Sequence, residues 1–291
     1  MRLFPISDLH LERRALADIP ALTPDFDVLV CAGDVWEGEP ERGLRALVSL
    51  ADGRPLVVVP GNHEHYRRDA HDPRTSADLI VALEAEASRL RAMPGAALIH
   101  VLRNGHSASI GGVRFIGATL WSDWALAGRW IGATSPDERE RATARAIAEL
   151  TDPIAGSREF YGAIRKAADS NWTPADVIAA HARDRARLYA ALRRANAQAE
   201  PAVVVTHYPP IATVVDLYRD AEGVPWWLPA FYATTLLDDL PTALRPAAWI
   251  SGHFHAGHDL LHGATRCVAN PVEGATFNPG LVVEIGVPPS G

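Results

Sequence analysis

Short apolar runs that each close on a polar turn constrain this chain more than any other feature. Residues 26–32 end on Gly33-Asp34, and residues 55–59 end on Pro60-Gly61-Asn62-His63-Glu64. Residues 113–118 reach Thr119, residues 202–206 enter His207, and residues 247–251 enter Gly252-His253. Runs of this length and β-branched content read as strands buried on both faces. Helical patterns separate them, notably at 39–50 and 76–92. Alternating strand and helix predicts an α/β fold, which places ligands beyond the carboxyl ends of its strands. The polar residues collect at those ends.

The stretch from about 124 to 197 differs, being rich in Ala, Arg and Glu. Ser135-Pro136-Asp137-Glu138 supplies an N-cap, a proline at the first helical position and a capping-box glutamate. Thr173-Pro174-Ala175-Asp176 repeats that logic. A helical insertion packed on a single α/β domain spanning 1–291 is expected, with Pro288-Pro289-Ser290-Gly291 as a frayed tail.

A net charge of -7 gives no general attraction to nucleic-acid backbones or anionic membranes, so nucleic acid is disfavoured as a partner. No run approaches the roughly 18 apolar residues of a membrane span. No apolar leader precedes Asp8, and a cytoplasmic location is expected. The two cysteines, Cys31 and Cys267, lie far apart and suggest neither a disulfide framework nor a thiolate metal site.

Eight residues at or near strand ends carry ligand chemistry: Asp8, His10, Asp34, Asn62, His63, His207, His253 and His255. Asp8 and His10 are two apart, as are His253 and His255, so in extended chain each pair projects to one side. Gly33, Gly61 and Gly252 stand beside three of the clusters and permit close backbone approach. Carboxylate, imidazole and one amide oxygen suit divalent Mn, Fe, Zn, Ni or Co. Taken singly, each has an ordinary reading as a turn residue or a hydrogen-bonded histidine. Eight together at successive strand ends point to a metal centre.

In this arrangement the chain resembles the calcineurin-like metallophosphoesterases. Their pattern is Asp-x-His, Gly-Asp, Gly-Asn-His-Asp/Glu, a lone His and Gly-His-x-His. Here it reads Asp8-Leu9-His10, Gly33-Asp34, Gly61-Asn62-His63-Glu64, His207 and Gly252-His253-Phe254-His255. The resemblance implies two facing mixed β-sheets flanked by helices, and two divalent metal ions as cofactors. It implies that Asp8, His10 and His255 bind one ion, that Asn62, His207 and His253 bind the other, and that Asp34 bridges both. A bridging hydroxide would attack phosphorus, with His63 stabilising charge and protonating the departing alkoxide. The implied activity is phosphoesterase, phosphodiesterase or phosphatase.

The purple acid phosphatase branch has Asp-x-Gly first and a tyrosine three residues after the Gly-Asp aspartate; here those places hold His10 and Glu37. The detail is similar to a group of small bacterial phosphoesterases, through Gly117-Ala118-Thr119-Leu120-Trp121, Tyr161-Gly162-Ala163-Ile164-Arg165 and Asn270-Pro271. Members commonly continue Asn-Pro-Arg-Gly, whereas this chain has Val272-Glu273.

Other residues carry weaker signals. Glu64 reads either as a carboxylate orienting a ligand or loop, or as a solvated loop residue. His181 shares a helical stripe with Val177, Asp184 and Leu188; it is either a buried hydrogen-bonded histidine, the favoured reading, or one dipping towards the metals. Trp121, Trp124, Trp130, Tyr208, Tyr218, Trp226, Trp227, Phe231 and Tyr232 are aromatics some of which could line an apolar pocket, with plain packing favoured for any single one. The adjacent indoles Trp226 and Trp227 best suit a pocket rim or an oligomer contact. His65, Arg67 and Arg68 follow the Gly-Asn-His-Glu loop and could meet substrate oxygens, with plain solvation the favoured reading.

The expected substrate is a small-molecule phosphate ester. A diester is favoured over a monoester, because no arginine cluster is fixed to the site by sequence. A non-catalytic scaffold of the same fold and a nuclease are the rival readings. Retention of all eight residues opposes the first, and the acidic charge opposes the second.

Overall fold

The computed structural model describes residues 1–23, 25–151, 159–218 and 223–286, with the side chains of 159, 160, 217 and 218 excepted. The expected tail and the Tyr218 side chain lie outside the described residues.

The first sheet is built from β1 (Arg2–Ile6), β2 (Val28–Cys31), β3 (Leu56–Val58) and β4 (Ile99–Val101). These four pair in parallel, in that order. The second sheet contains β5 (His106–Ile110), β6 (Val113–Ala118), β9 (Ala202–Thr206), β10 (Ala248–Ser251), β11 (His258–His262) and β12 (Thr265–Ala269), in the order β11-β12-β10-β9-β6-β5. The short β13 (Val283–Glu284) adds antiparallel to the edge at β1. Both sheets are mixed, because β5 and β11 are also antiparallel edges.

Alternation along the strands explains the layering. Leu3, Val28, Val30, Val57, Phe115, Val203, Val205 and Ile250 interlock between the two sheets as one apolar cluster. The intervening Phe4, Ile6, Leu29, Cys31 and Leu56 face outward and are covered by α1 (Pro40–Ala51) and α2 (Ser76–Arg91). On the far face, Ile116, Val204 and Trp249 pack under α3 (Pro136–Thr151) and α5 (Pro174–Ala197). Strands covered on both sides account for the continuous β-branched runs. Both cysteines are buried and free, and burial pushes their thiols upward.

The segment 124–197 departs from an all-helical reading. Between α3 and α5 stand a short α4 (Glu159–Gly162) and a two-stranded ribbon of β7 (Arg165–Ala167) and β8 (Ser170–Asn171). Its capping signals are realised. Thr173 Oγ1 accepts from Asp176 N, while the Asp176 carboxylate accepts from Thr173 N at 2.9 Å. Glu138 likewise accepts from Ser135 N at 2.9 Å. A short α6 (Leu228–Tyr232) lies between β9 and β10. Among the described residues, no helix is long and apolar enough to cross a membrane.

Candidate dinuclear metal centre

Because the central strands run parallel, their carboxyl ends share one edge. Asp8 and His10 follow β1, Asp34 follows β2, Asn62 and His63 follow β3, His207 follows β9, and His253 and His255 follow β10. The loops meet so tightly that glycine is required: a Cβ on Gly252 would stand 2.7 Å from Ser7 Cβ and 2.8 Å from Asp8 Oδ2. Asp8, His10, Asp34, His253 and His255 all have positive φ, between 45° and 68°. A non-glycine residue there costs of order 1–3 kcal/mol, so five together mark a backbone held by its surroundings for the sake of side-chain direction.

Two donor sets result, sharing Asp34. In the first, His10 Nε2 lies 3.3 Å from His255 Nε2 and 3.9 Å from Asp34 Oδ2, and His255 Nε2 lies 3.4 Å from Asp8 Oδ1. In the second, His207 Nε2 lies 2.9 Å from Asn62 Oδ1 and 3.1 Å from Asp34 Oδ2, with His253 alongside. Ligands about 2.1 Å from one ion and roughly 100° apart stand about 3.2 Å from each other, which these separations match.

Surrounding groups turn the donor atoms inward. His207 Nδ1 donates to the Ala32 carbonyl at 2.7 Å, which leaves Nε2 facing the oxygens. Asn62 Nδ2 donates to Tyr66 Oη at 2.9 Å, which turns Oδ1 the other way. His10 Nδ1 lies 3.0 Å from Glu12 Oε1, so its Nε2 points inward too. His253 Nε2 is buried and makes no hydrogen bond among the described residues. An orphaned buried nitrogen beside converging acceptors is the arrangement a cation resolves. The residues therefore fit divalent ions.

Electrostatics agree. Burial alone would raise the carboxyl of Asp34, yet the imidazoles of His207, His63 and His10 hold it well below the carboxylate range. Burial opposes charge on His207, but the Asp34 carboxylate and its hydrogen bond outweigh that and raise the ring to about 9. Burial and the neighbouring His207 push His253 down instead, keeping it neutral.

The family model described as calcineurin-like phosphoesterase matches residues 1–153, more than half of the chain. The chain belongs to the calcineurin-like phosphoesterases. It is accordingly a metal-dependent phosphoric ester hydrolase, and membership implies a dinuclear centre of divalent ions. Phosphopantetheinyl hydrolase (PptH) from Mycobacterium tuberculosis is similar in structure, with TM-score 0.63 and 20% identity over 94% of this chain and 89% of that one. That likeness extends the shared fold beyond the matched residues. TT1561 of Thermus thermophilus gives TM-score 0.47 and 15% identity over 93% and 88% of the two chains. No curated protein matches the sequence.

Around this calcineurin-like centre the remaining residues sort themselves. His63 Nδ1 lies 2.8 Å from Glu37 Oε2, and its Nε2 lies 3.8 Å from Asp34 Oδ2. Burial opposes charge on His63, but Asp34 and Glu37 raise it to about 9. The solvated reading of Glu64 is overturned. It is 3% exposed and accepts from Gly61 N at 2.6 Å, Val35 N at 2.7 Å and Asp34 N at 2.9 Å, clamping two of the loops together.

His181 does not dip towards the metal cluster: its Nδ1 meets the Leu120 carbonyl at 3.0 Å, because α5 runs beside the 119–121 turn. Tyr208 is 1% exposed and stacks on His253 with centroids 4.0 Å apart, so it backs that ring rather than lining a pocket. Trp226 donates from Nε1 to Glu149 Oε2 at 2.6 Å, and Trp227 packs edge-on against Phe231. Both are half-buried against the apolar cluster on the far face of the second sheet. His65 turns away, its Nδ1 2.6 Å from Ser76 Oγ.

The cavity beside His63 measures about 710 Å³ and is lined chiefly by Arg13, Glu37, Tyr66, Arg67, Arg68 and Asp69. Its lining is rich in charged side chains, with Tyr66 as its aromatic residue. Three arginines reach it: Arg67 and Arg68 follow the loop motif that suggested them as substrate contacts, whereas nothing in the sequence placed Arg13 there. Sequence reasoning also missed Glu12, Glu37 and Glu273 as neighbours of the site's histidines. Glu12 stands two residues from His10, a spacing that could have drawn notice.

Proposed function

We propose that this protein hydrolyses a small organic phosphodiester, with Asp8, His10 and His255 holding one divalent ion, Asn62, His207 and His253 the other, and Asp34 reaching both. The observation that carries the reading is the pair of donor sets sharing Asp34, at separations suited to two ions. Such ions supply Lewis acidity when bound, acidifying water and offsetting charge on phosphoryl oxygens. The two could be drawn from Mn, Fe, Zn, Ni or Co. In the same reading, 124–197 is an insertion of a single catalytic domain.

The chain's own groups supply the rest. His63 is held at Nδ1 by Glu37, which leaves Nε2 turned towards Asp34 and the ion sites. From there His63 can give a proton to the departing alkoxide and stabilise developing negative charge, an effect of about 10²–10⁴-fold for a positioned acid. Glu64 keeps Asp34 in place through the main-chain donors of its loop.

The preference for a diester rests on charge. Asp8, Asp34 and Glu273 bring three carboxylates to the centre, and Glu12 and Glu37 stand next to it. A monoester dianion meets more repulsion there than a diester monoanion. A monoesterase is the second reading, favoured by Arg13, Arg67 and Arg68 along the cavity. Two of these are already engaged by carboxylates, Arg13 by Glu273 at 3.4 Å and Arg68 by Asp69 at 3.1 Å.

Bis(p-nitrophenyl) phosphate and p-nitrophenyl phosphate, assayed side by side on Mn-reconstituted protein, test the reading. A higher kcat/KM for the diester supports it. Faster monoester turnover hands the assignment to the second reading. His63→Ala should lose about 10²–10⁴-fold in kcat while metal content stays at the wild-type level.

A further inference from the structure

We infer that Glu273 is an additional carboxylate ligand of the ion assigned to Asp8, His10 and His255, an inference that rests on the two-ion reading above. Its Oε2 lies 3.2 Å from His10 Nε2 and 3.9 Å from His255 Nδ1. The first separation is that of neighbouring ligands on one ion, about 3.2 Å. Although buried, this oxygen makes no hydrogen bond among the described residues. A buried carboxylate oxygen facing an imidazole nitrogen without a bonded hydrogen between them calls for a cation.

The backbone explains how the side chain arrives there. Val272 N donates to the Ser7 carbonyl at 2.9 Å and Glu273 N donates to the Asp8 carbonyl at 3.0 Å. Residues 272–273 are thus laced alongside the loop that carries Asp8 and His10. The other carboxylate oxygen, Oε1, is 3.4 Å from Arg13 Nη1, which leaves Oε2 as a single inward donor. His10 is committed at Nδ1 to Glu12, so its Nε2 and Glu273 Oε2 address the same space.

A third carboxylate changes the character of the site. With Asp8, Asp34 and Glu273 against two imidazoles, oxygen donors outnumber nitrogen, which favours Mn(II) relative to a nitrogen-rich set. Full-length protein stripped by a chelator and titrated calorimetrically with Mn(II), then separately with Zn(II), tests this without any turnover. Wild type is expected to take up two Mn(II). Glu273→Gln should weaken one of the two binding steps by about 10–100-fold, the range for lost support at metal sites, and should weaken Mn(II) more than Zn(II). Glu273→Asp, which keeps the charge but shortens the reach, should also lose affinity at that step. Unchanged melting of the stripped variants would show that the loss is not misfolding, and the second variant guards the case in which one fails to fold. Two wild-type-affinity steps in both variants would overturn the role of Glu273 while leaving the two-ion reading intact. Fewer than two ions bound by wild type would overturn both.

Discussion

Glu64 ties together two of the loops that carry the candidate ligands. Its buried carboxylate receives main-chain N–H groups from Gly61, Asp34 and Val35, on two loops distant in sequence. Glutamine in its place keeps the size but offers one oxygen and turns an NH2 towards donors. Hydrogen bonds to a charged acceptor contribute about 1.5–3 kcal/mol each, and unmet buried donors cost a similar amount. Glu64→Gln should therefore lose about 2–3 kcal/mol by urea unfolding, and unchanged stability would contradict the clamp. At this scale the donor residues that the fold brings together were legible because most sit in short contiguous motifs of chemically distinctive residues. Glu37 and Glu273 were not, because an isolated glutamate declares nothing until folding sets it against a histidine, and Glu12 offered only its spacing of two from His10.

Among the elements, α5 is tied to the turn after β6 by Asp184, whose Oδ2 accepts from Leu120 N at 3.0 Å. Burial raises this carboxyl to about 6, with the Leu120 hydrogen bond pulling the other way. A carboxyl raised in the fold holds its proton longer there than in the unfolded chain. Its favourable share of stability is thus complete below about pH 4 and lost as pH rises through 6, on the order of 3 kcal/mol in all. Asp184→Asn cannot titrate, so its melting temperature relative to wild type should climb between pH 4 and pH 7. A constant difference across that range would refute the assignment. The five central strands were legible from their β-branched runs, which burial on both faces demands. The edges β5 and β11 were not: His106-Ser107-Ala108-Ser109 and His258-Asp259 are half solvated and resemble loops. The β7–β8 ribbon escaped notice because its strands are short, largely solvated and set between two strongly helical compositions.

Across the whole molecule, two sheets packed face to face bring the carboxyl ends of five parallel strands to one rim, so loops from residues 8 to 255 converge on one centre. The α/β class could be read from strands and helices alternating along the chain, whereas the pairing of two facing sheets was legible only through the resemblance to a known family. Cavity chemistry could not be read in that way. Arg13, Arg67 and Arg68 come from two separate loops, and their meeting beside His63 depends on how those loops cross. The central claim is that this rim works as a two-ion hydrolytic centre sharing Asp34. Turnover of bis(p-nitrophenyl) phosphate, followed as Mn(II) is added stepwise to chelator-stripped protein, tests it most directly. Activity should rise to a plateau at two equivalents in wild type, and Asp34→Asn should abolish both the plateau and the second equivalent bound. Full turnover without added metal in verified stripped protein, or a plateau at one equivalent, would contradict the account.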